Sequence, residues 1–278
     1  MQTALITGAN TGIGLITAKA LAAKGFQLII VVRSEQKAAE TKATILKETP
    51  TAIVDAYIAD LELIDTVKAI IPVIKAKYTV IDRFINNAGY SPDIIEYTED
   101  GFERSFIANH LGPFVLTNGL IDLVEASTDG RIISVSSMAH SYGKFNRMFL
   151  AFNKDLNAMK TYSDGKLANI LFTRGLVKHL RHATAYCLHP GVVKTGFGSL
   201  FTGGLKVVMA FMKPFMISPE QGAATTIYLA TTELKNIKNH NGGYFDKSKP
   251  KATLNADISD LNVDKLWAKS LEVATFVG

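Results

Sequence analysis

Cysteine is almost missing from this sequence: Cys187 is the only one, so the chain cannot form an internal disulfide. A single thiol also argues against a structural zinc site built from several thiolates. Cys187 lies in the apolar run Ala183–Leu188, and we expect it to be a buried thiol on a strand. Sparse cysteine is typical of a reducing compartment, which favours a cytoplasmic location.

Long hydrophobic runs and clustered positive charges are missing as well. The most apolar segment, Leu205–Ile217, contains Lys206, Lys213 and Pro214 and is too short to span a bilayer, so it predicts at most contact with a membrane surface. Met1 leads almost directly into a strand-like segment, and we expect no signal peptide. The formal charge is +5, and the lysine and arginine residues are scattered along the sequence. They are not interleaved with aromatic residues on one face, which argues against a nucleic-acid groove.

Two common catalytic patterns do not occur in the sequence. It has no Gly-x-Ser-x-Gly turn, which argues against a serine esterase of the α/β-hydrolase type. Its six histidines do not show the His-Glu-x-x-His spacing of zinc hydrolases, so we expect no metal. We interpret His110, His140 and His189 as polar partners near a site rather than as ligands.

What is present is a regular alternation of short β-branched runs with longer helical patterns. The alternation is typical of βαβ units on a parallel sheet, and 47% hydrophobic with 20% charged residues is an ordinary globular composition. We therefore predict an α/β fold, a doubly wound parallel sheet of about seven strands flanked by helices. The predicted strands are Ala4–Thr7, Gln27–Val32, Ala52–Ile58, Ile81–Asn86, Arg131–Val135, Ala183–Leu188 and Gly243–Phe245. The predicted helices include Gly14–Lys24, Glu35–Lys47, Leu63–Tyr78, Phe102–Glu125 and Tyr162–Arg181.

A glycine-rich turn follows the first predicted strand, at the edge of the sheet where such folds bind ligands. Glycine there lets the backbone approach a pyrophosphate closely, and the following helix directs its free N–H groups at the phosphates. The spacing G-x-x-x-G-x-G over Gly8–Gly14, directly between a strand and a helix, predicts a dinucleotide site. The expected cofactor contacts in this turn are Gly8, Asn10, Thr11, Gly12 and Ile13.

The end of the second strand indicates which dinucleotide binds. An acidic residue about 20 positions after the glycines would hold the ribose 2′-hydroxyl of NAD. This strand instead ends in Arg33, and arginine suits a 2′-phosphate through a bidentate, charge-assisted contact. Arg33 therefore favours NADP(H) over NAD(H), with a surface arginine that binds no ligand as the alternative.

Turns after the third, fourth and sixth strands lie on the same side of the sheet. Asp60 follows the third strand, and its carboxylate would either accept a hydrogen bond from the adenine amino group or cap a helix. Small residues after the fourth strand let the backbone pass close to the ribose, and a Pro-Gly turn after the sixth brings the chain back across the nicotinamide. The expected cofactor contacts in these turns are Asp60, Leu61, Asn87, Ala88, Gly89, Pro190, Gly191, Val193 and Thr195.

Tyr162 and Lys166 are four residues apart in a helical pattern and so share one helix face. The pKa of free tyrosine is near ~10, and a nearby ammonium would lower it by stabilising the phenolate. The pair would then exchange a proton with a carbonyl or alcohol oxygen, and Lys166 would also hold the nicotinamide ribose. The same spacing also arises by chance in many helices.

Two polar residues complete the predicted catalytic set. Ser137 follows the fifth strand, so its hydroxyl would hold the substrate oxygen, with Ser136 as its neighbour. Asn109 lies inside the predicted helix Phe102–Glu125, where its amide would anchor a water that relays protons to Lys166, or would make a simple helix–helix hydrogen bond. The predicted catalytic residues are therefore Asn109, Ser137, Tyr162 and Lys166.

Together these motifs resemble the short-chain dehydrogenase/reductase family. TGANTGIG, NNAG, Asn109, Ser137, YSDGK and HPGVVKT occur in the order of that family, between Thr3 and about Phe245. Within the family the chain looks like the retinol-dehydrogenase-like group, which is similar in the arginine after strand two, in VSSMAH and in a long insert before the catalytic tyrosine. Here residues 138–161 separate Ser137 from Tyr162, and the resemblance also supports Ser137 over Ser136.

The resemblance implies a single Rossmann-type domain over residues 1–278, hydride transfer at nicotinamide and a lipophilic aldehyde, ketone or alcohol as substrate. Family members often form dimers or tetramers through their long helices, so a homo-oligomer fits the resemblance. Many membrane-bound members begin with a hydrophobic anchor, which we do not expect here.

Apolar segments on the other side of the site are candidate walls of a substrate pocket. The apolar composition of residues 197–217 favours a lid over the pocket. The alternative is a packed helix or a subunit interface. The insert Tyr142–Thr161 would form the opposite wall, and residues 246–278 form a C-terminal extension. The predicted function is an NADP(H)-dependent oxidoreductase for a carbonyl or alcohol, and the alternative is a regulator that binds NADP(H) without turnover.

Overall fold

The structure is a computed structural model that describes residues 1–91, 94–98, 101–149, 156–193 and 216–276. Within these ranges, eight strands form one sheet in the order β3-β2-β1-β4-β5-β6-β7-β8. The strands are β1 (Thr3–Thr7), β2 (Gln27–Val32), β3 (Val54–Ile58), β4 (Arg83–Asn86), β5 (Arg131–Val135), β6 (Thr184–His189), β7 (Tyr244–Asp246) and β8 (Lys249–Lys251).

The first seven strands pair in parallel, and β8 returns antiparallel beside β7. The strand order reverses between β1 and β4, which are hydrogen-bonded neighbours at the centre of the sheet. Doubly wound sheets bind their ligands at this switch point, beyond the carboxyl ends of the strands. The predicted doubly wound α/β fold is therefore confirmed.

Helices cover both faces of the sheet. They are α1 (Gly12–Ala23), α2 (Glu35–Glu48), α3 (Ile64–Lys77), α4 (Gly112–Glu125), α5 (Ala158–His179), α6 (Pro219–Thr231) and α7 (Asp260–Phe276). Successive strand residues point to opposite faces, so Leu28 and Ile30 pack with α1 and α6, whereas Ile29 and Val31 pack with α3 and α4. Both faces of each central strand are buried, which explains why these strands read as continuous apolar runs.

The prediction of one helix over Phe102–Glu125 is wrong, because the structure divides this segment into three successive helical elements. A helical turn, Arg104–Phe106, leads into a π-helix, Ile107–Leu111, before α4 begins. The side chain of Asn109 donates to the carbonyl oxygen of Ser105 at 2.8 Å, four residues back, and Gly112 N–H donates to Ile107 O, five back. Short π-helices are often found at functional sites, because the extra residue redirects the side chains around it.

Other element boundaries also differ from the prediction. Helix α5 begins at Ala158, four residues before the predicted start, because the Asn157 side chain accepts a hydrogen bond from Lys160 N–H at 2.9 Å. Strand β8 was not predicted, since it consists of three exposed residues and includes Pro250. The C-terminal extension forms β8 and α7, and α7 packs on α5 through Trp267. Residues 197–215 of the predicted lid lie outside the described residues.

Candidate active site

A cavity of about 640 Å³ opens at the carboxyl ends of the central strands. Its volume lies within the range of about 300–1,000 Å³ that is typical of small-molecule sites. Every predicted cofactor contact within the described residues lines this cavity, as do Ser137, Tyr162 and Lys166. The predicted contact Thr195 lies outside the described residues, and Asn109 is not among the lining residues.

The glycine turn forms the floor of the cavity and requires glycine for geometric reasons. Gly8 has a φ of +66°, and a Cβ there would lie 3.0 Å from the Cα of Ala88. A Cβ at Gly14 would collide with the carbonyl oxygen of Gly8 and the side-chain amide of Asn87. Asn87 Nδ2 donates to Thr7 O at 2.9 Å and to Gly8 O at 3.3 Å, so the turn after β4 supports the turn after β1.

The N-terminus of α1 is available to an anion. Its N-cap residue, Thr11, makes no side-chain cap hydrogen bond, whereas Ser34 caps α2 and Asn157 caps α5. Thr11, Gly12 and Ile13 line the cavity, so the first N–H groups of α1 border the space where a ligand would lie. This end of the cavity therefore fits the pyrophosphate of a dinucleotide.

The residues predicted to contact the adenosine follow β2 and β3 and line the same cavity. Arg33 is exposed and lines the cavity directly after β2. Asp60 Oδ1 accepts a hydrogen bond from Glu62 N–H at 3.0 Å, but the N-cap residue of α3 is Leu63, so Asp60 is not that cap. Glu62 was not predicted; its pKa is raised by burial, and it forms an ion pair with Arg104 at 2.9 Å.

Tyr162 and Ser137 meet inside the cavity. Both side chains line it, the Ser137 hydroxyl lies close enough to the phenol to lower its pKa, and Lys166 Nζ lies 5.6 Å from the centre of the Tyr162 ring. Both Tyr162 and Lys166 lie on the second and third turns of α5, on the face that looks into the cavity. Ser136 points elsewhere, since its hydroxyl donates to the carbonyl oxygen of Lys166 at 2.7 Å. Ser137 is thus the serine that the fold brings to Tyr162.

Burial controls the protonation of the two helix residues. It raises the pKa of Tyr162 to about 12, against the hydrogen bond from Ser137, which lowers it. It lowers the pKa of Lys166 to about 8. The expectation that Lys166 brings the pKa of Tyr162 below its usual value is therefore wrong for this structure, because desolvation of the phenolate outweighs the other effects.

Asn109 lies behind the cavity wall, next to Lys166. A Cβ placed on Gly89 would lie 2.9 Å from Lys166 Nζ and 3.2 Å from Asn109 Oδ1, so both groups approach the same point of the turn after β4. Asn109 Oδ1 accepts a hydrogen bond from Tyr90 N–H at 3.2 Å, and its Nδ2 donates to Tyr90 O and Ser105 O. Its side chain therefore ties the π-helix to this turn.

The three histidines are polar partners, as the sequence predicts. His110 Nε2 lies 2.8 Å from Ser270 Oγ, His140 Nδ1 lies 2.6 Å from Ser137 O, and His189 Nδ1 accepts a hydrogen bond from Gly191 N–H at 3.3 Å. Cys187 is fully buried on β6, which confirms its predicted position. Across the described ranges, no group of three or more His, Cys, Asp or Glu side chains is arranged to hold a metal ion.

Apolar side chains form the rim of the cavity; Tyr142 and Met159 lie in the insert Tyr142–Thr161 that the sequence predicts as a wall, whereas Met138 was not predicted. Met138 is 46% exposed, Tyr142 is 75% exposed and Met159 is 38% exposed, and all three line the cavity. Exposed large apolar groups gathered around one opening mark a binding surface rather than ordinary surface composition. Their position just after Ser137 and just before Tyr162 was the signal available in the sequence.

None of the helices within the described residues is both long enough and apolar enough to cross a bilayer.

Comparison with known proteins identifies the family. The sequence model for short chain dehydrogenases matches residues 2–202. The chain belongs to the short-chain dehydrogenase/reductase family and is an oxidoreductase of that family. Among curated proteins, it is 36% identical to human retinol dehydrogenase 13 (97% of this chain, 83% of the relative). It is 33% identical to the chloroplastic short-chain dehydrogenase TIC 32 B of Brassica napus (98% of this chain, 88% of the relative).

Solved structures show the same fold. An uncharacterised protein from Mycobacterium paratuberculosis is 28% identical with a TM-score of 0.77, covering 99% of this chain and 94% of that protein. A short chain dehydrogenase from Shigella flexneri, solved in complex with NADP, is 21% identical with a TM-score of 0.68, covering 89% of this chain and 97% of that protein.

Proposed function

We propose that this oxidoreductase uses NADP(H) and moves a hydride between the nicotinamide and the carbonyl or alcohol group of a lipophilic small molecule. The observation that carries the proposal is that Ser137, Tyr162 and Lys166 line the same cavity as the glycine turn. A reaction at a carbonyl needs a proton donor and a polar group on the oxygen, and these residues supply both.

The cofactor assignment depends on Arg33. The glycine turn and the open N-terminus of α1 fit a pyrophosphate, and the exposed guanidinium of Arg33 is the nearest cation after β2 that lines the cavity. Strand β2 is followed directly by Arg33 and Ser34, so the position that would hold the ribose 2′-hydroxyl of NAD carries no carboxylate, while Asp60 and Glu62 line the cavity nearby. The Shigella flexneri relative was crystallised with NADP, which supports the same assignment.

Tyr162 would donate the proton in the direction of reduction. Its pKa of about 12 keeps the phenol protonated at neutral pH, and its hydroxyl lies beside that of Ser137. NADPH, when bound, would supply the hydride to the carbonyl carbon, and Tyr162 would give its proton to the carbonyl oxygen. Ser137 would hold that oxygen. Lys166 would return a proton to Tyr162, and the Lys166 ammonium and the Asn109 amide both lie beside Gly89.

The apolar rim supports a lipophilic substrate. Met138, Tyr142 and Met159 present large apolar surfaces at the opening, and methionine adapts its shape to different ligands. The curated relatives include retinol dehydrogenases 12, 13 and 14, whose names indicate a lipophilic alcohol. A cytoplasmic location stays a prediction.

The proposal is tested by a screen of carbonyl compounds followed through NADPH absorbance, with NADH in parallel. We expect turnover of alkanals and aromatic aldehydes with NADPH, and a KM that falls as the alkyl chain lengthens. Polar aldehydes of similar reactivity, such as glyceraldehyde, serve as the matched control and should react poorly. Tight NADPH binding without turnover across the panel would instead favour the non-catalytic regulator, which has no use for Ser137, Tyr162 and Lys166 together.

A further inference from the structure

We propose that His140 is a positioning residue that fixes Ser137 for the reaction by holding its carbonyl group, and that Asn255 holds the same turn from the other side. The proposal rests on the proposed function, because it concerns the serine that would hold the substrate oxygen. Neither residue lines the cavity, so both would act through Ser137 rather than on the substrate.

Ser137 begins a short 3₁₀ helix, Met138–Tyr142, and His140 folds back onto it. His140 Nδ1 lies 2.6 Å from Ser137 O, and His140 N–H donates to the same oxygen at 3.2 Å. A carbonyl oxygen only accepts, so Nδ1 carries the proton and donates. The side-chain oxygen of Ser137 accepts from Ala139 N–H at 3.2 Å. Both ends of Ser137 are therefore held, which sets the direction of its hydroxyl towards Tyr162.

The surroundings keep the His140 ring in one orientation. The ring is buried and packs against the ring of Tyr244 on β7, with the two centres 5.0 Å apart at an angle of 60°. Burial also lowers the pKa of His140, so the ring is neutral at neutral pH. A side chain locked by packing delivers its hydrogen bond without paying rotamer entropy during the reaction.

Asn255, on the C-terminal extension, holds the other side of the turn. Its Nδ2 donates to His140 O at 2.7 Å and to Gly143 O at 3.0 Å. Two residues further on, Asp257 Oδ2 accepts from Phe145 N–H at 2.9 Å. The extension thus fastens the segment that runs from Ser137 into the insert, which includes the rim residues Met138 and Tyr142. This gives residues outside the matched range 2–202 a part in arranging the site.

Two substitutions at His140 separate positioning from packing. His140→Asn keeps an N–H the same number of bonds from Cα, whereas His140→Leu fills similar space without a donor. We expect His140→Leu to lower kcat for carbonyl reduction about tenfold, the effect of one lost hydrogen bond, while the Kd for NADPH changes less than about twofold. His140→Asn should keep most of the activity, and His182→Leu, at an exposed histidine, is the matched control.

Hydrogen exchange of the peptide spanning residues 136–144 gives a second readout that needs no turnover. Exchange should be faster in His140→Leu than in the wild type and close to the wild type in His140→Asn. Unchanged kcat and exchange in His140→Leu would overturn the proposal. Equal loss of activity in both variants would also overturn it, because the donor would then not be what matters.

Asn255→Ala keeps the test decisive if His140→Leu does not fold, since Asn255 is only partly buried. We expect faster exchange in residues 136–144 and a kcat about threefold lower, with the NADPH Kd preserved. Normal exchange and normal kcat in this variant would contradict the proposal. If the wild type itself reduces no carbonyl, the proposed function fails, and the exchange data still show whether the two residues hold the turn.

Discussion

Lys166 Nζ lies 5.6 Å from the centre of the Tyr162 ring, and its hydrogen bond goes to a backbone carbonyl, Val135 O, at 3.2 Å. Both side chains are buried, and burial shifts their pKa values in opposite directions. The pKa of Tyr162 rises to about 12, while the pKa of Lys166 falls to about 8. At neutral pH the phenol therefore holds its proton, and the lysine is charged in most molecules.

The rate of carbonyl reduction should fall as the pH rises through about 8. Lys166 is charged below its pKa of about 8 and neutral above it, so its capacity to return a proton to Tyr162 is present at low pH and lost at high pH. Tyr162 itself stays protonated over this interval, since its pKa is about 12. The measurement is kcat against pH from 6 to 10 at saturating NADPH. A rate that stays level across that interval would contradict this assignment of Lys166.

Replacing Lys166 by methionine should stabilise the protein while it removes activity. A buried lysine with a lowered pKa costs stability at pH values below that pKa, where it must stay charged in the folded state. We expect Lys166→Met to raise the free energy of unfolding at pH 7 by roughly 1–3 kcal/mol, measured by urea denaturation. Val135 O keeps a donor, because Asn169 Nδ2 also donates to it at 3.2 Å.

The matched control for that experiment is Lys178→Met, on the same helix. Lys178 is more exposed and pairs with Asp264 on α7. Its substitution should change the free energy of unfolding by less than about 0.5 kcal/mol. A Lys166→Met protein that unfolds more easily than the wild type would show that Lys166 contributes to stability, against the present interpretation.

Arg33 should decide the choice between NADPH and NADH. Removing its guanidinium in Arg33→Ala would cost one charge-assisted contact with the 2′-phosphate, which corresponds to about 10–100-fold weaker NADPH binding. NADH lacks this phosphate, so its affinity should be almost unchanged. Both dissociation constants can be measured by titration calorimetry, with Lys42→Ala, an exposed lysine on α2, as the control. If Arg33→Ala weakened the binding of NADPH and NADH equally, Arg33 would not be the residue that contacts the 2′-phosphate.

Much of the fold could be predicted because its signals are local. Gln27–Val32 and Arg131–Val135 are strands residue for residue as predicted, since each is a continuous buried run ended by a polar residue. The glycine turn could be predicted equally well, because the spacing of Gly8 and Gly14 indicates positions where the structure leaves no room for a Cβ. The carboxyl ends of the strands then brought the predicted contacts into one cavity.

The remaining features depend on contacts between distant parts of the chain. Asn255 meets His140 across 115 residues, which no local pattern encodes. In the π-helix the Asn109 side chain donates to the carbonyl oxygen of Ser105, an arrangement that helical periodicity alone does not reveal. The direction of the pKa shift at Tyr162 depends on how deeply the ring is buried, and the spacing to Lys166 carries no information about depth.

The central claim is that Tyr162 is the proton donor, and Tyr162→Phe tests it most directly. The variant keeps the ring in its buried position and removes only the hydroxyl that meets Ser137. We predict that NADPH oxidation with a good aldehyde substrate falls by about 10²–10⁴-fold, while the Kd for NADPH stays within about threefold and Tyr228→Phe, a substitution on α6, keeps full activity. A Tyr162→Phe enzyme that turns over at the wild-type rate would contradict the account.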